Sequence, residues 1–197
     1  MRRQVGTLLI VFGAALLALV GATYARGALA RERLRAEWDA REAQLSVVDG
    51  RRLLEVSTGG RPAPGAPVGR LLIPRLGLDE VIVEGVDGDA LNAGPGHLPG
   101  SALPGAPGNA VVSAHRDRHF HALSDIAPGD TVTTVTERGT VVWVVTSRRV
   151  VSSSAPALFE TASPTLTLTT CWPVRYVGPA PDRLIVTARP VDPGHRS

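Results

Sequence analysis

Cysteine is nearly missing from this chain: among 197 residues there is one, Cys171. A single thiol cannot close an internal disulfide or build a cysteine-cluster zinc site. Lysine is missing altogether, so all 21 basic residues are arginine. After the first fifty positions those arginines are dispersed, with no basic stripe interleaved with aromatics. This points away from a nucleic-acid partner despite the net charge of +3. Aromatic residues are only 4% of the chain, so any core must rest on Val, Leu, Ile and Ala. No internal repeat is visible. The apolar fraction is nonetheless 44%, which excludes a disordered chain, and the length suits one domain plus an appendage.

Uncharged apolar sequence runs from Val5 to about Ala25, after Arg2 and Arg3. Roughly 20 helical residues at ~1.5 Å rise cross the ~30 Å hydrocarbon layer, so residues 1–25 read as a transmembrane anchor. A cleavable signal peptide is the rival, since Leu8 to Val20 has the length of its apolar region and Ala28-Leu29-Ala30 resembles a cleavage site. Arg31, Arg33 and Arg35 on the far side compete with Arg2 and Arg3 in setting orientation. Residues 26–56 are rich in Ala, Arg and Glu and predict a charged juxtamembrane helix, a solvated stalk with Leu34, Trp38 and Leu45 as sparse apolar points. Pro and Gly crowd residues 57–67, which forbids a regular element and marks a linker. A domain-sized region, 68–190, and a tail, 191–197, follow.

Beyond Val68 the pattern is all-β. Strands are expected at Arg70–Ile73, Val81–Val86, Asn109–Ala114, Thr131–Thr136, Thr140–Ser147, Thr165–Thr170 and Leu184–Ala188, with Glu137-Arg138-Gly139 as a hairpin turn. His119–Ile126 predicts a short helix. Short strands at this density suggest a closed barrel or a sandwich.

Cys171 stands at the end of a strand signal and just before Trp172-Pro173, because proline cannot continue a central strand. Strand ends can present side chains to a surface cleft. A lone cysteine is otherwise a small core hydrophobe. His115 likewise ends a strand, where an isolated histidine is commonly only a surface residue. Paired with a thiol, it could share the proton and maintain a thiolate. His97, His119, His121 and His195 are the other histidines; His119 and His121 fall on the expected helix as rim residues, and His195 lies in the tail. Arg183 opens the last strand. It cannot act as a base but can donate two hydrogen bonds to an oxyanion; its plain alternative is a surface ion pair with Asp182. Together the three supply the nucleophile, proton carrier and oxyanion partner of thiol acyl transfer.

These segments resemble the sortase family. Thr167-Leu168-Thr169-Thr170-Cys171 is similar to the TLxTC signature around the sortase nucleophile. Ser113-Ala114-His115-Arg116-Asp117 resembles the catalytic histidine segment, with Ala114 where many members have Gly. Asp182-Arg183-Leu184-Ile185-Val186 resembles the strand bearing the catalytic arginine. Cys171 lies 56 positions after His115, and Arg183 lies 12 after Cys171, as in that family. Gly94-Pro95-Gly96-His97-Leu98-Pro99-Gly100-Ser101 and Cys171-Trp172-Pro173 look closest to class D.

The resemblance implies a closed sortase-type β-barrel of about eight strands with short helices, preceded by a transmembrane and a juxtamembrane helix. It implies His115, Cys171 and Arg183 as catalytic residues, and His97, Thr170 and Trp172 as substrate-binding residues. The implied substrate is an LPxTG-like sorting signal on surface proteins. The implied acceptor is an amine, from a cell-wall precursor or a pilin lysine, for surface anchoring or pilus assembly. The expected location is the bacterial cell membrane, single-pass, with the catalytic domain extracytoplasmic. No cofactor, metal or nucleic acid is expected; Asp79, Glu80, Asp87 and Asp89 are too loosely spaced for a calcium site. Two other readings remain open at this stage. One is an exported thiol acyltransferase such as an L,D-transpeptidase, although its S-H-G-C segment is absent. The other is a non-catalytic, membrane-tethered β-domain. A papain-like order, with Cys before His, fits poorly.

Overall fold

A computed structural model describes residues 2–47, 61–155 and 160–191. The expected linker residues 57–60, the end of the juxtamembrane segment at 48–56, and the tail from 192, with His195, lie outside the described residues. Residues Arg2–Val47 form one helix, α1, rather than two. No proline interrupts it, and Gly6, Gly13, Gly21 and Gly27 are single interruptions in a run of good helix formers. Its first half carries an apolar stretch long and uncharged enough to cross a membrane, with Leu8, Ile10, Phe12 and Leu17 exposed.

The remaining elements are β1 (Pro67–Ile73), β2 (Leu78–Glu84), α2 (Gly88–Ala93), β3 (Gly96–His97), β4 (Asn109–Ser113), β5 (Thr131–Thr136), β6 (Gly139–Ser152), β7 (Thr165–Trp172) and β8 (Asp182–Pro190). The strands close into a barrel in the order β1-β2-β3-β4-β7-β8-β6-β5. The expected strands all appear, longer in β1, β6, β7 and β8 and with β2 beginning and ending earlier than expected, while the expected helix at 119–126 is a single 3-10 turn, His121–Asp125. β3 was not foreseen. Two residues carry no periodicity; pairing with β2 on one side and β4 on the other creates the strand. Gly96 is required there, because a Cβ would stand 2.1 Å from the Gly85 carbonyl oxygen.

Alternation on the strands settles which residues face inward. Ala110 and Val112 of β4, Leu166 and Leu168 of β7, and Leu184, Val186 and Ala188 of β8 enter the core with Phe120, Leu123 and Trp143. Their neighbours at the intervening positions face out of the barrel.

The juxtamembrane part of α1 is docked, not solvated. Trp38 is 0% exposed and packs with Leu34 against Val81 and Val83 of β2 and Ala90 and Ala93 of α2. Arg31 makes a two-pronged pair with Glu80, and Arg35 donates to the Asp79 carbonyl oxygen at 2.7 Å. Sparse apolar positions read as solvated because a single large side chain can seal a contact whose remainder is ionic.

Candidate active site

The register of three strands assembles the site. β4 runs parallel to β7 with Ser113 opposite Thr169, and the Ala114 amide continues the ladder onto the Thr169 carbonyl at 3.1 Å. Past the end of β4, extending the same offset by two positions would set His115 on a level with Cys171. The spacing of 56 in the sequence is this register. On the other side β8 runs antiparallel, with Cys171 directly opposite Arg183. All three stand at positions that alternate with core residues, so they share the outer face of the sheet. Residues so placed on neighbouring strands, ~4.8 Å apart, are in mutual reach.

The three side chains meet in one cleft of about 400 Å³. Cys171 is exposed there and Arg183 is also exposed, while His115 is half-buried. The Cys171 thiol is thus no core hydrophobe. Burial is the main cause that holds the His115 imidazolium below its ordinary pKa; Asp117 opposes this, and Arg118 and His119 reinforce it. Val86, Leu91, Leu98 and Val111 give the cleft an apolar wall. Sequence reasoning missed these four. They come from loops, α2 and the outward face of β4, and no local pattern marks them.

The expected substrate-binding residues divide. Thr170 lines the cleft, and its hydroxyl donates to the Ala114 carbonyl at 2.7 Å, tying β7 to the segment that carries His115. Thr169 beside it has a buried hydroxyl with no hydrogen-bond partner among the described residues. Trp172 packs against the core edge under the Arg148 guanidinium, 5.0 Å from its ring centroid, and does not line the cleft.

His97 is not brought to the cleft. It is 2% exposed, with Nδ1 2.6 Å from Glu84 Oε2 and Nε2 2.9 Å from both the Ala102 carbonyl and Ser101 Oγ. Its place in a Gly-Pro-rich segment suggested a groove; both ring nitrogens instead bind the loop after β3 to β2. His121 is exposed, whereas His119 is buried under α1 beside Glu80 rather than at a cleft rim.

Arg116, next to His115, was not singled out by sequence. Its guanidinium donates to the carbonyls of Pro173 at 3.0 Å, Tyr176 at 3.0 Å and Gly178 at 2.7 Å. It therefore pins the β7–β8 loop, which joins Cys171 to Arg183, to the segment that carries His115. Asp79, Glu80 and Asp87 are each engaged, by Arg70, by Arg31 and as the N-cap of α2. Among the described residues no cluster of His, Cys, Asp and Glu could hold a metal ion.

Comparison with known proteins agrees with this fold. The sortase domain family matches residues 71–191. Sortase D of Bacillus subtilis (strain 168) is 32% identical over 133 residues, covering 66% of this chain and 67% of its own length. Among solved structures, a Clostridium perfringens sortase D5 transpeptidase superposes with a TM-score of 0.65 at 22% identity, over 85% of this chain and 99% of that one. Streptococcus agalactiae sortase C1 gives 0.66 at 24%, over 80% and 95%. With a closed eight-stranded barrel, an apolar N-terminal helix and a matching domain over most of its length, this chain belongs to the sortase family of cysteine transpeptidases.

Proposed function

We propose that this chain cleaves an LPxTG-like sorting signal through a thioacyl enzyme and passes the acyl group to an amine. The observation that carries the reading is the cross-strand pair Cys171–Arg183 lining one cleft with His115. The Cys171 thiolate attacks the threonine carbonyl of the signal. Arg183 donates to the developing oxyanion. The peptide C–N bond breaks as His115, in its imidazolium form, gives its proton to the departing amine. A thioester remains on Cys171. His115, now neutral, takes a proton from the incoming amine, which attacks the thioester carbonyl and releases the thiolate. The apolar wall of Val86, Leu91, Leu98 and Val111 suits the leucine and proline of such a signal.

In this reading residues 1–25 are a single-pass membrane anchor and 68–190 the catalytic barrel, outside a bacterial cell membrane. The partners are surface proteins bearing the signal and an amine acceptor, from a cell-wall precursor or a pilin lysine, for surface anchoring or pilus assembly. L,D-transpeptidase chemistry and a non-catalytic tethered β-domain have no comparable support, since the thiol is exposed in a cleft that it shares with His115 and Arg183.

The test is incubation of the full chain in detergent with a peptide library, and mass detection of a thioacyl adduct on Cys171. The adduct is expected in the parent protein and absent in Cys171→Ala. Arg183→Lys should lower kcat roughly 10²–10³-fold, the usual loss for one oxyanion donor. A Cys171→Ala protein that still cleaves a cognate peptide would falsify the mechanism.

A further inference from the structure

A second cavity, about 280 Å³, lies where α1 meets the barrel and shares no lining residue with the catalytic cleft. Tyr24, Arg31, Glu80, Asn92, Arg118 and His119 line it. Its charge is unbalanced. Glu80 is already engaged by both prongs of Arg31, with Arg35 3.9 Å away. Arg118 has no carboxylate partner among the described residues; it donates one hydrogen bond to Asn92 Oδ1 at 2.9 Å and lies 4.8 Å from the centroid of the Tyr24 ring. A guanidinium has five N–H donors, so most of its hydrogen-bonding capacity is unspent.

His119 supplies an independent sign of a ligand. It is 8% exposed, and neither ring nitrogen has a hydrogen-bond partner; Nδ1 is 3.4 Å from Glu80 Oε2, without hydrogen-bond alignment. Buried polar atoms are seldom left unpaired. The helix makes room for this arrangement at Gly27, where a Cβ would stand 3.2 Å from both Arg118 Nη1 and the Asn92 carbonyl oxygen.

Height selects the ligand. The apolar run ends near Ala25, and residues 26–31 at ~1.5 Å each reach ~2–9 Å beyond it. The headgroup layer is about 5–8 Å deep on each side of the hydrocarbon. The cavity opens at the level of lipid phosphates, with a tyrosine of the kind enriched at that interface. The planar Arg118 guanidinium at this cavity, its donors mostly unspent, matches the oxygens of a phosphodiester.

We propose that this cavity binds the phosphate of an anionic glycerophospholipid, docking the catalytic barrel against the membrane surface. The proposal rests on the membrane placement of α1 given above. The bound headgroup would sit beside the chain that carries His115, since the Arg118 amide is 3.4 Å from the His115 carbonyl oxygen.

The test places the full chain in nanodiscs of equimolar phosphatidylglycerol and phosphatidylcholine, extracts it gently, and counts retained lipids by native mass spectrometry. Phosphatidylglycerol should be enriched over phosphatidylcholine. Arg118→Gln should cut that enrichment roughly fivefold, the effect of about 1 kcal/mol per basic residue near an anionic surface. Arg118→Lys should retain part of it, and its melting temperature guards against loss of fold. Equal retention of both lipids, or an Arg118→Gln protein that folds and keeps the enrichment, overturns the proposal. Displacement of the lipid by millimolar inorganic phosphate overturns it in favour of a free-anion site. Failure of the parent chain to insert into the disc refutes the membrane placement itself, and the site with it.

Discussion

Replacing Trp38 with alanine should release α1 from the barrel while leaving the barrel folded. Trp38 is fully buried, in a cluster drawn from α1, β2 and α2 and separate from the barrel core. A buried tryptophan hides ~200 Å² of largely apolar surface, and at ~25 cal/mol per Å² its loss costs about 5 kcal/mol. Tryptophan-to-alanine changes in cores cost about 3–5 kcal/mol, the same range. Because this contact belongs to helix docking, the cost falls on the docked–undocked equilibrium. At about 1.4 kcal/mol per factor of ten, a cost of ~3–5 kcal/mol raises the undocked fraction ~10²–10⁴-fold. The Arg31–Glu80 pair and the Arg35 bond to Asp79 remain, but partly exposed ion pairs contribute little alone. Limited trypsin digestion in detergent reads the change, since Arg31, Arg33, Arg35 and Arg41 all lie on the docked segment. Cleavage there should accelerate strongly in Trp38→Ala and only slightly in Trp38→Phe, which keeps most of the apolar area but not the bond from Nε1 to Glu42 at 3.0 Å. The denaturation midpoint of the barrel should move little. If the Trp38→Ala protein is cut no faster at those arginines, the docking energetics argued here are wrong.

Three further outcomes concern the cleft and its surroundings. Asp117 is the main charge raising the His115 pKa against the burial that lowers it, so Asp117→Asn removes an anion and disfavours the imidazolium. The alkaline limb of the pH–rate profile should move to lower pH, and an unchanged or alkaline-shifted limb would contradict the assignment of His115 as proton donor. The same depression makes a stability statement: the unfolded ring takes its proton near 6.5 and the folded ring only at lower pH, so His115 lowers folding stability as pH falls below 6.5. Arg116→Gln should loosen residues 173–181, raising their amide exchange and lowering kcat/KM roughly tenfold, equivalent to ~1.4 kcal/mol for one or two partly exposed charged hydrogen bonds. Arg116→Lys should not restore the parent rate, because an ammonium does not span three carbonyls as a planar guanidinium does; full rescue by lysine would show that charge alone matters.

Much of the barrel was legible in the sequence because its strands alternate in patterns that survive without neighbours. Thr131–Thr136 was read without error, since β-branched residues and flanking turn signals delimit it from within. β3 was not, because a two-residue strand exists only through its partners. His115, Cys171 and Arg183 were found by motif, and their arrangement in the cleft is a matter of register that spacing encodes but does not reveal. His97 was misplaced for the opposite reason: its segment resembles a groove motif, yet Glu84 and Ser101 meet it only once β2 and β3 pair.

The chain by itself determined the apolar span, the strand periodicity, the single thiol and the order of His, Cys and Arg, because each is a local property of residue type and spacing. Tertiary structure decided which face those residues occupy, that an apparently solvated helix seals against β2 through Trp38, and that Arg118 and His119 border a cavity beneath α1. Those outcomes depend on contacts between positions distant along the chain, where burial and pairing energies act only after the strands have closed.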